Sequence, residues 1–529
     1  MPAHADPFPD DIDALKALLL EERDLRRRSE ERCERLERII TDLKRRYFGP
    51  RSERLDADQM DLALEDTETV IAQVEANLDK THPKLPGERR KRRINRGALP
   101  EHLPREEVVI EPQTTTCSCG AGLQRIGEDR SERLDVIPAQ FRVIVTVRPK
   151  YACRICQEGV VQAPARERLI EGGIPTERLV AHVLVGKYAD HLPLYRQAQI
   201  MRRQGIDLDR STLADWVGRT AYELRPVFDR LVAHIKGSSK LFMDETPVPV
   251  LDPGRGKTKT GYLWALARDN RPWGGCGGNF GGCPGGSDPP AVAYFYAPGR
   301  GGAHAEDFLT GFTGTLQVDG YSAYNRLTGK HRKDGPVVLA YCWAHARRKL
   351  YDVAQSGSSP IAQEGLQRIA RLYAIEKEIR GTSAAARQAI RQQRSAPLVA
   401  AFENWLDAQR GRVSAKSRLG EALRYIAKHR SGLRRFLEDG RIEIDSNTVE
   451  RAIRPIALNR KNALFAGHDD GAANWGVIAS LIETCKLNGI DPQVYLTGVL
   501  ERIVNRHPQS RIDELLPWNH QKTNVKTAA

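Results

Sequence analysis

Apolar and polar positions along this 529-residue chain change rhythm several times, and each change marks an element. Over residues 12–47 apolar side chains recur at heptad a and d positions: Ile12, Leu15 and Leu19, then Cys33, Leu36, Ile40, Leu43 and Tyr47. Glu22, Arg26 and Ser29 fall on the same seam. The pattern predicts a helix that pairs with a second copy through a weak middle, or else one amphipathic helix packed on its own protein. Residues 49–106 lose the rhythm and read as a charged linker. Alternation with period two returns in RLDVIPAQFRVIVTVRPKYA (133–152) and predicts a β-meander. Residues 176–221 are helical again. Within them one helix covers 194–204, a turn follows at Gly205–Asp209, and Ser211 caps a second helix over 212–220 whose buried face is Leu213, Trp216 and Val217.

From residue 240 the apolar residues gather in short runs, the signature of buried strands. Leu241-Phe242-Met243 ends in Asp244-Glu245; residues 261–267 and 291–296 follow, with a glycine-rich loop at 273–287 between them. A helix (303–312), a strand at Thr315–Val318 ending in Asp319, and a strand over 337–343 complete the series. Three antiparallel strands, a helix and two further strands match the order of a ribonuclease-H-like fold. That order sets the first and fourth strands side by side, and with them Asp244 and Asp319. Residues 353–438 carry no strand signal and read as a helical insertion, a cover or a clamp. Beyond it SNTVERAIRP places Glu450 on a helix capped by Ser446 or Asn447.

Two strand-end aspartates and a helical glutamate make a ligand set for two hard cations, Mg²⁺ or Mn²⁺, which clamp the oxygens of a phosphodiester. The candidate catalytic residues are therefore Asp244, Asp319 and Glu450. His345, one helical turn into YCWAHARRKL, falls near the same edge, and Cys342 reads as core.

Charge supports a polyanionic partner: the net charge is +14 and the pI about 9.4. Candidate DNA contacts are the run Arg89, Arg90, Lys91, Arg92 and Arg93, the start of the second helix at Ser211 and Thr212, then Arg347, Arg348, Arg454, Arg460 and Lys461. No run of 18 apolar residues occurs and the first residues lack the basic and apolar regions of a signal peptide, so no membrane partner is expected. The expected compartment is the cytoplasm, at the nucleoid. Nine cysteines, an odd count, argue against a disulfide framework. Cys117-x-Cys119 and Cys153-x2-Cys156 flank the β-meander and offer four thiolates to one structural Zn²⁺; the alternative is four reduced core thiols.

The segments DETPVPV, LQVDGYSAYN, YCWAHARRKL and SNTVERAIRPIALNRKNALFAG, with FGPRSERL and NGIDPQVYLTGVLERI, resemble the insertion sequence 66 family of bacterial transposases over nearly the whole chain. The resemblance implies a DDE transposase, with Asp244, Asp319 and Glu450 matching the triad. It also implies a leucine-zipper-like region, a zinc-binding domain, a helix-turn-helix, and small accessory proteins as further partners. The chain has C-x-C where the family's first knuckle usually has C-x2-C, and its glycine-rich loop is longer.

The resulting expectation is a multidomain α+β protein: a coiled-coil helix (1–48), linker (49–106), zinc module (107–170) and helix-turn-helix domain (171–236). A ribonuclease-H-like core (237–352 and 441–490), interrupted by the helical insertion (353–440), and a C-terminal helix and tail (491–529) follow. Its expected function is binding of transposon ends and target DNA, self-association through the first helix, and metal-dependent cleavage and strand transfer. The alternatives are a nuclease that cuts without joining and a catalytically silent DNA-binding regulator.

Overall fold

The computed structural model describes part of 11–27 and residues 140–520, except 153–159, 163, 166, 171–172, 253–256, 274–287, 331, 358 and 464. The chain divides into two units, Met1–Gln140 and Phe141–Ala529. In the first, the described residues between 12 and 27 are helical, and Ile12, Leu19 and Leu20 are exposed. The predicted linker with Arg89–Arg93, and Cys117, Cys119, Cys153 and Cys156, lie outside the described residues.

Of the predicted β-meander, the described residues show one short antiparallel pair. Strands β1 (Lys150–Ala152) and β2 (Val160–Gln162) pair antiparallel, with Tyr151 opposite Val161. Residues 140–149 form no strand, and Val143, Ile144, Val145 and Val147 are exposed. Alternation specifies a strand only where a partner and a buried face exist, and the described residues supply neither here.

Helices Glu177–Tyr188 and Leu194–Arg203 precede a third, Arg210–Lys236. Thr176 caps the first by accepting the Leu179 N–H, and Gly205, at φ +79°, makes the turn after the second. Leu213, Trp216 and Val217 are buried as expected. The third helix departs from expectation at both ends. It begins at Arg210 with Asp209 at the cap position, so Ser211 lies exposed in the first turn and caps nothing. It also runs on to Lys236, because Ala221, Leu224, Phe228, Leu231 and Ile235 continue the apolar stripe.

Five strands build the central sheet in the order β5-β4-β3-β6-β7. β3 (Lys240–Asp252), β4 (Lys257–Arg268) and β5 (Ala291–Ala297) form an antiparallel meander. β6 (Thr315–Val318) runs parallel to β3, and β7 (Val338–Tyr341) parallel to β6. β3 does not stop at its carboxylates. Its pairing with β6 ends at Phe242, but it stays paired with β4 as far as Asp252, through Pro247 and Pro249. The Pro249 carbonyl accepts the Ala466 N–H at 2.9 Å, on the side away from β4. A residue's N–H and C=O share one side of a strand, so the missing proline N–H falls where β4 needs none.

Helix Asp469–Leu487 covers the β5 edge: Ser480 Oγ accepts the Tyr294 N–H at 2.8 Å, and Thr484 Oγ1 accepts that of Val292 at 3.2 Å. Between β7 and the Glu450 helix, the described residues from Trp343 to Glu438 form six α-helices and a π-helical segment, Arg391–Ser395, around their own apolar cluster of Trp343, Phe402, Trp405, Leu423 and Phe436. Helix Pro492–Val504 follows. No described helix is long and apolar enough to cross a membrane.

Lys240 opens β3 with its ammonium buried over the Phe242 ring, 4.3 Å from the centroid, without a hydrogen-bond partner. Burial pushes its pKa down to about 8, against the pull of Glu443 and Asp269. Below pH 8 both folded and unfolded chains carry the proton and the burial penalty is full; between pH 8 and 10.5 the unfolded chain binds more protons, so stability rises with pH. Lys240→Met is expected to stabilise the fold by on the order of 2 kcal/mol at neutral pH, a gain that fades above pH 8. Chemical denaturation at pH 7 and pH 10 checks both parts.

Candidate active site

The sheet topology brings two of the predicted acids to one end of the sheet. Asp244 lies two residues past Phe242, the last β3 residue paired with β6, and Asp319 follows the last residue of β6, so the two stand on adjacent parallel strands at the same end. Glu450 lies in the first turn of helix Asn447–Ala463, whose Ala452 carbonyl accepts from Tyr294 of β5. Asp244 is half-buried, and its Oδ1 accepts the Glu245 N–H at 2.8 Å. Burial, then the charges of Glu245, Asp319 and Glu450, push its carboxyl up to about 8. Burial is the larger cause, and the crowding of the neighbouring carboxylates adds to it. A divalent cation relieves such crowding, so an all-carboxylate donor set of this kind fits Mg²⁺ or Mn²⁺.

The Asp319 turn is held from two sides. Its Oδ1 accepts the Tyr321 N–H at 2.8 Å, and its backbone carbonyl accepts the Tyr425 hydroxyl at 2.6 Å. Gly320 has φ +95°, and a Cβ there would meet His429 and Tyr425 at 3.0–3.1 Å, so the turn needs glycine. Tyr425 and His429 belong to the helical region between β7 and Glu450. That region therefore buttresses one of the candidate acids, a role no local pattern announces.

A second support runs through Glu245. Its buried carboxylate accepts from Arg300 and from the Tyr324 hydroxyl, while the Arg300 guanidinium stacks 3.9 Å from the Tyr321 ring centroid. Sequence reasoning missed Arg300, Tyr324, Tyr425 and His429; only the acid beside Asp244 was visible. Glu245→Ala leaves Arg300 and Tyr324 without their acceptor and is expected to cost roughly 2–4 kcal/mol of stability. Glu245→Gln keeps an acceptor oxygen and is expected to retain most of that stability. Thermal denaturation checks the pair; equal behaviour of the two variants would remove the argument.

At the other flank His345 Nδ1 lies 3.7 Å from Glu450 Oε1. The buried Cys342 thiol accepts the Ser446 N–H at 3.2 Å, and burial pushes it up to about 11. Asp445 Oδ1 accepts the Asn447 N–H at 3.2 Å, where the Glu450 helix begins. Of the predicted DNA contacts, Ser211, Arg347, Arg348 and Lys461 are exposed. Thr212, Arg454 and Arg460 are half-buried, and Arg460 donates to the Pro247 carbonyl.

Comparison with known proteins agrees along the chain. Residues 172–474 match the model of the Transposase IS66 family, and 480–518 match the IS66 C-terminal element. Residues 35–108 match "Transposase C of IS166 homeodomain", and 114–157 match the "zinc-finger binding domain of transposase IS66", a span that contains all four predicted zinc cysteines. Two uncharacterized proteins of Sinorhizobium fredii are similar over nearly full length. The protein y4qI is 44% identical, covering 97% of each chain, and y4jD is 46% identical, covering 94% of this chain and 98% of its own. The chain belongs to the IS66 family of transposases.

Proposed function

We propose that the protein binds the ends of an insertion sequence and catalyses metal-dependent DNA cleavage followed by strand transfer, on a ribonuclease-H-like core. The parallel pairing of β3 with β6 carries this reading. It sets Asp244 and Asp319 on neighbouring strands with Glu450 in electrostatic reach, in a sheet whose strand order, three antiparallel strands extended by two parallel ones, suits that core. Asp244, Asp319 and Glu450 are the residues to hold two Mg²⁺ or Mn²⁺ ions. Such ions supply a lowered pKa for the attacking water and charge neutralisation at the departing oxygen. The chain's own part is to fix the acids: Tyr425 and Tyr321 orient the Asp319 turn, and the Glu245–Arg300–Tyr324 network braces the strand beneath Asp244.

Exposed Arg347, Arg348 and Lys461 suit the phosphates of a bound end, and Arg89–Arg93 suit non-specific backbone contact. The four cysteines Cys117, Cys119, Cys153 and Cys156 are the ligands proposed for a structural Zn²⁺, and the first helix is the proposed seam between copies. The domain boundaries expected from the sequence, the helical insertion at 353–440 included, belong to the same proposal. The test is a donor DNA carrying the terminal repeats, incubated with target DNA and Mg²⁺. Joined donor–target molecules are expected. Cut ends that never join would leave a nuclease instead.

A further inference from the structure

Beside the carboxylate triad stands a second donor set of different chemistry. Among the described residues Cys342, His345 and Glu450 bring a thiol, an imidazole and a carboxylate to within 4.8 Å of one another. Cys342 immediately precedes helix Trp343–Gln355, and His345 follows it by one turn on the same helix. Glu450 comes from another helix, and Ser446 ties the two sides: its N–H donates to Cys342 Sγ at 3.2 Å and its hydroxyl to Glu450 Oε1 at 3.4 Å. His345 Nδ1 is enclosed yet makes no hydrogen bond. A histidine serving only to fill space ordinarily finds a partner for an enclosed ring nitrogen. This nitrogen instead faces a carboxylate across a gap of 3.7 Å, too long for a hydrogen bond.

We propose that Cys342, His345 and Glu450 form a site for one borderline-soft divalent cation of the Zn²⁺ class, which when filled takes Glu450 away from the triad. Thiolate and imidazole select such ions, whereas Mg²⁺ prefers oxygen alone. Zn–S near 2.3 Å and Zn–N or Zn–O near 2.0–2.2 Å require the donors to close by only about 1 Å, and a water completes the tetrahedron. Binding breaks the Cys342 S–H bond, forms S–Zn and releases one proton to solvent. The binding site stands on its own geometry; the inhibitory consequence rests on the reading of Glu450 as a catalytic ligand.

The experiment uses the full chain with its cysteine module already loaded with Zn²⁺. Cd²⁺ is added to the parent protein and to Cys342→Ser, with bound ions counted by elemental analysis after dialysis and thiolate-to-cadmium absorbance followed in the near ultraviolet. The parent is expected to hold one more ion than Cys342→Ser and to show the additional absorbance. His345→Gln, which leaves the thiol in place, is expected to lose the same ion and guards against a misfolded serine variant. Equal ion counts in all three proteins overturn the site. Added Zn²⁺ is then compared within each protein: Mg²⁺-dependent cleavage is expected to fall roughly tenfold in the parent and to stay within about twofold in Cys342→Ser. Equal inhibition of both overturns the shared use of Glu450. Should Glu450→Gln remain active, the catalytic reading fails, while the ion count still decides the site.

Discussion

Asp244→Asn, Asp319→Asn and Glu450→Gln are each expected to lower cleavage and strand transfer more than about a hundredfold, on the order of 3 kcal/mol of transition-state stabilisation, while end binding persists. Each exchange keeps the side chain's size and hydrogen-bonding outline and removes the negative charge that holds a divalent ion. The environment makes the comparison clean. Asp244 is crowded by Glu245, Asp319 and Glu450, so its amide relieves repulsion and is expected to leave the fold at least as stable as the parent. Activity and stability should therefore move in opposite directions at Asp244, which a mutation acting through misfolding cannot produce. Glu245→Gln and Asp445→Asn are the neighbouring comparisons, both expected to retain most activity. A dead Glu245→Gln beside an active Asp244→Asn would shift the register of the catalytic strand by one residue. Three active triad variants would place the chemistry elsewhere.

Arg391→Met is expected to destabilise the protein by roughly 3–5 kcal/mol, although Arg391 is far in sequence from every candidate acid. Its guanidinium is wholly buried at the centre of the helical region. Two of its nitrogens donate to Glu376 at 2.8 and 2.6 Å, and a third donates to the carbonyls of Phe436, Asp439 and Ile442 at 2.9, 3.2 and 2.9 Å. Methionine fills the space but takes the guanidinium donor from the carbonyls of Phe436 and Ile442, leaves that of Asp439 with the Ile442 N–H at 3.1 Å, and leaves Glu376 with Arg387 at 3.4 Å. These carbonyls belong to the segment that leads through Glu443 to Ser446 and the Glu450 helix. Glu443 is itself paired with Arg387 at 2.8 Å, and its N–H donates to Gln317 of β6 at 2.8 Å. Loss of the hub should thus lower strand transfer even below the melting temperature. A denaturation midpoint equal to the parent's would refute the assignment of Arg391 as a hub.

Much of the site was legible because local pattern reports local facts. Short apolar runs ending in carboxylates located β3, β6, Asp244 and Asp319, and the count and direction of strands predicted that β3 and β6 would be neighbours, as they are. A candidate cap at Ser446 or Asn447 and an acid soon after it located the Glu450 helix, although the side chain that accepts the Asn447 N–H is Asp445. The errors also have local causes. Residues 140–149 alternate like a strand but have no described partner, and the third helix was cut short at 220 although its apolar stripe runs on to Ile235.

By itself, then, the sequence determined which side chains face the core, which positions carry acids, and in what order the strands occur. These follow from periodicity and from residue chemistry over a few positions. Only the tertiary structure decided which distant groups meet: Tyr425 on the carbonyl of Asp319, 106 residues earlier, and Ser446 on the thiol of Cys342, 104 residues earlier. Arg300 on the Glu245 carboxylate and Arg391 on the carbonyls ahead of the Glu450 helix belong to the same class. The physical reason is that a hydrogen bond or ion pair needs its partners within about 3 Å. Periodicity specifies a face, whereas that distance is set by how whole helices and strands pack against one another.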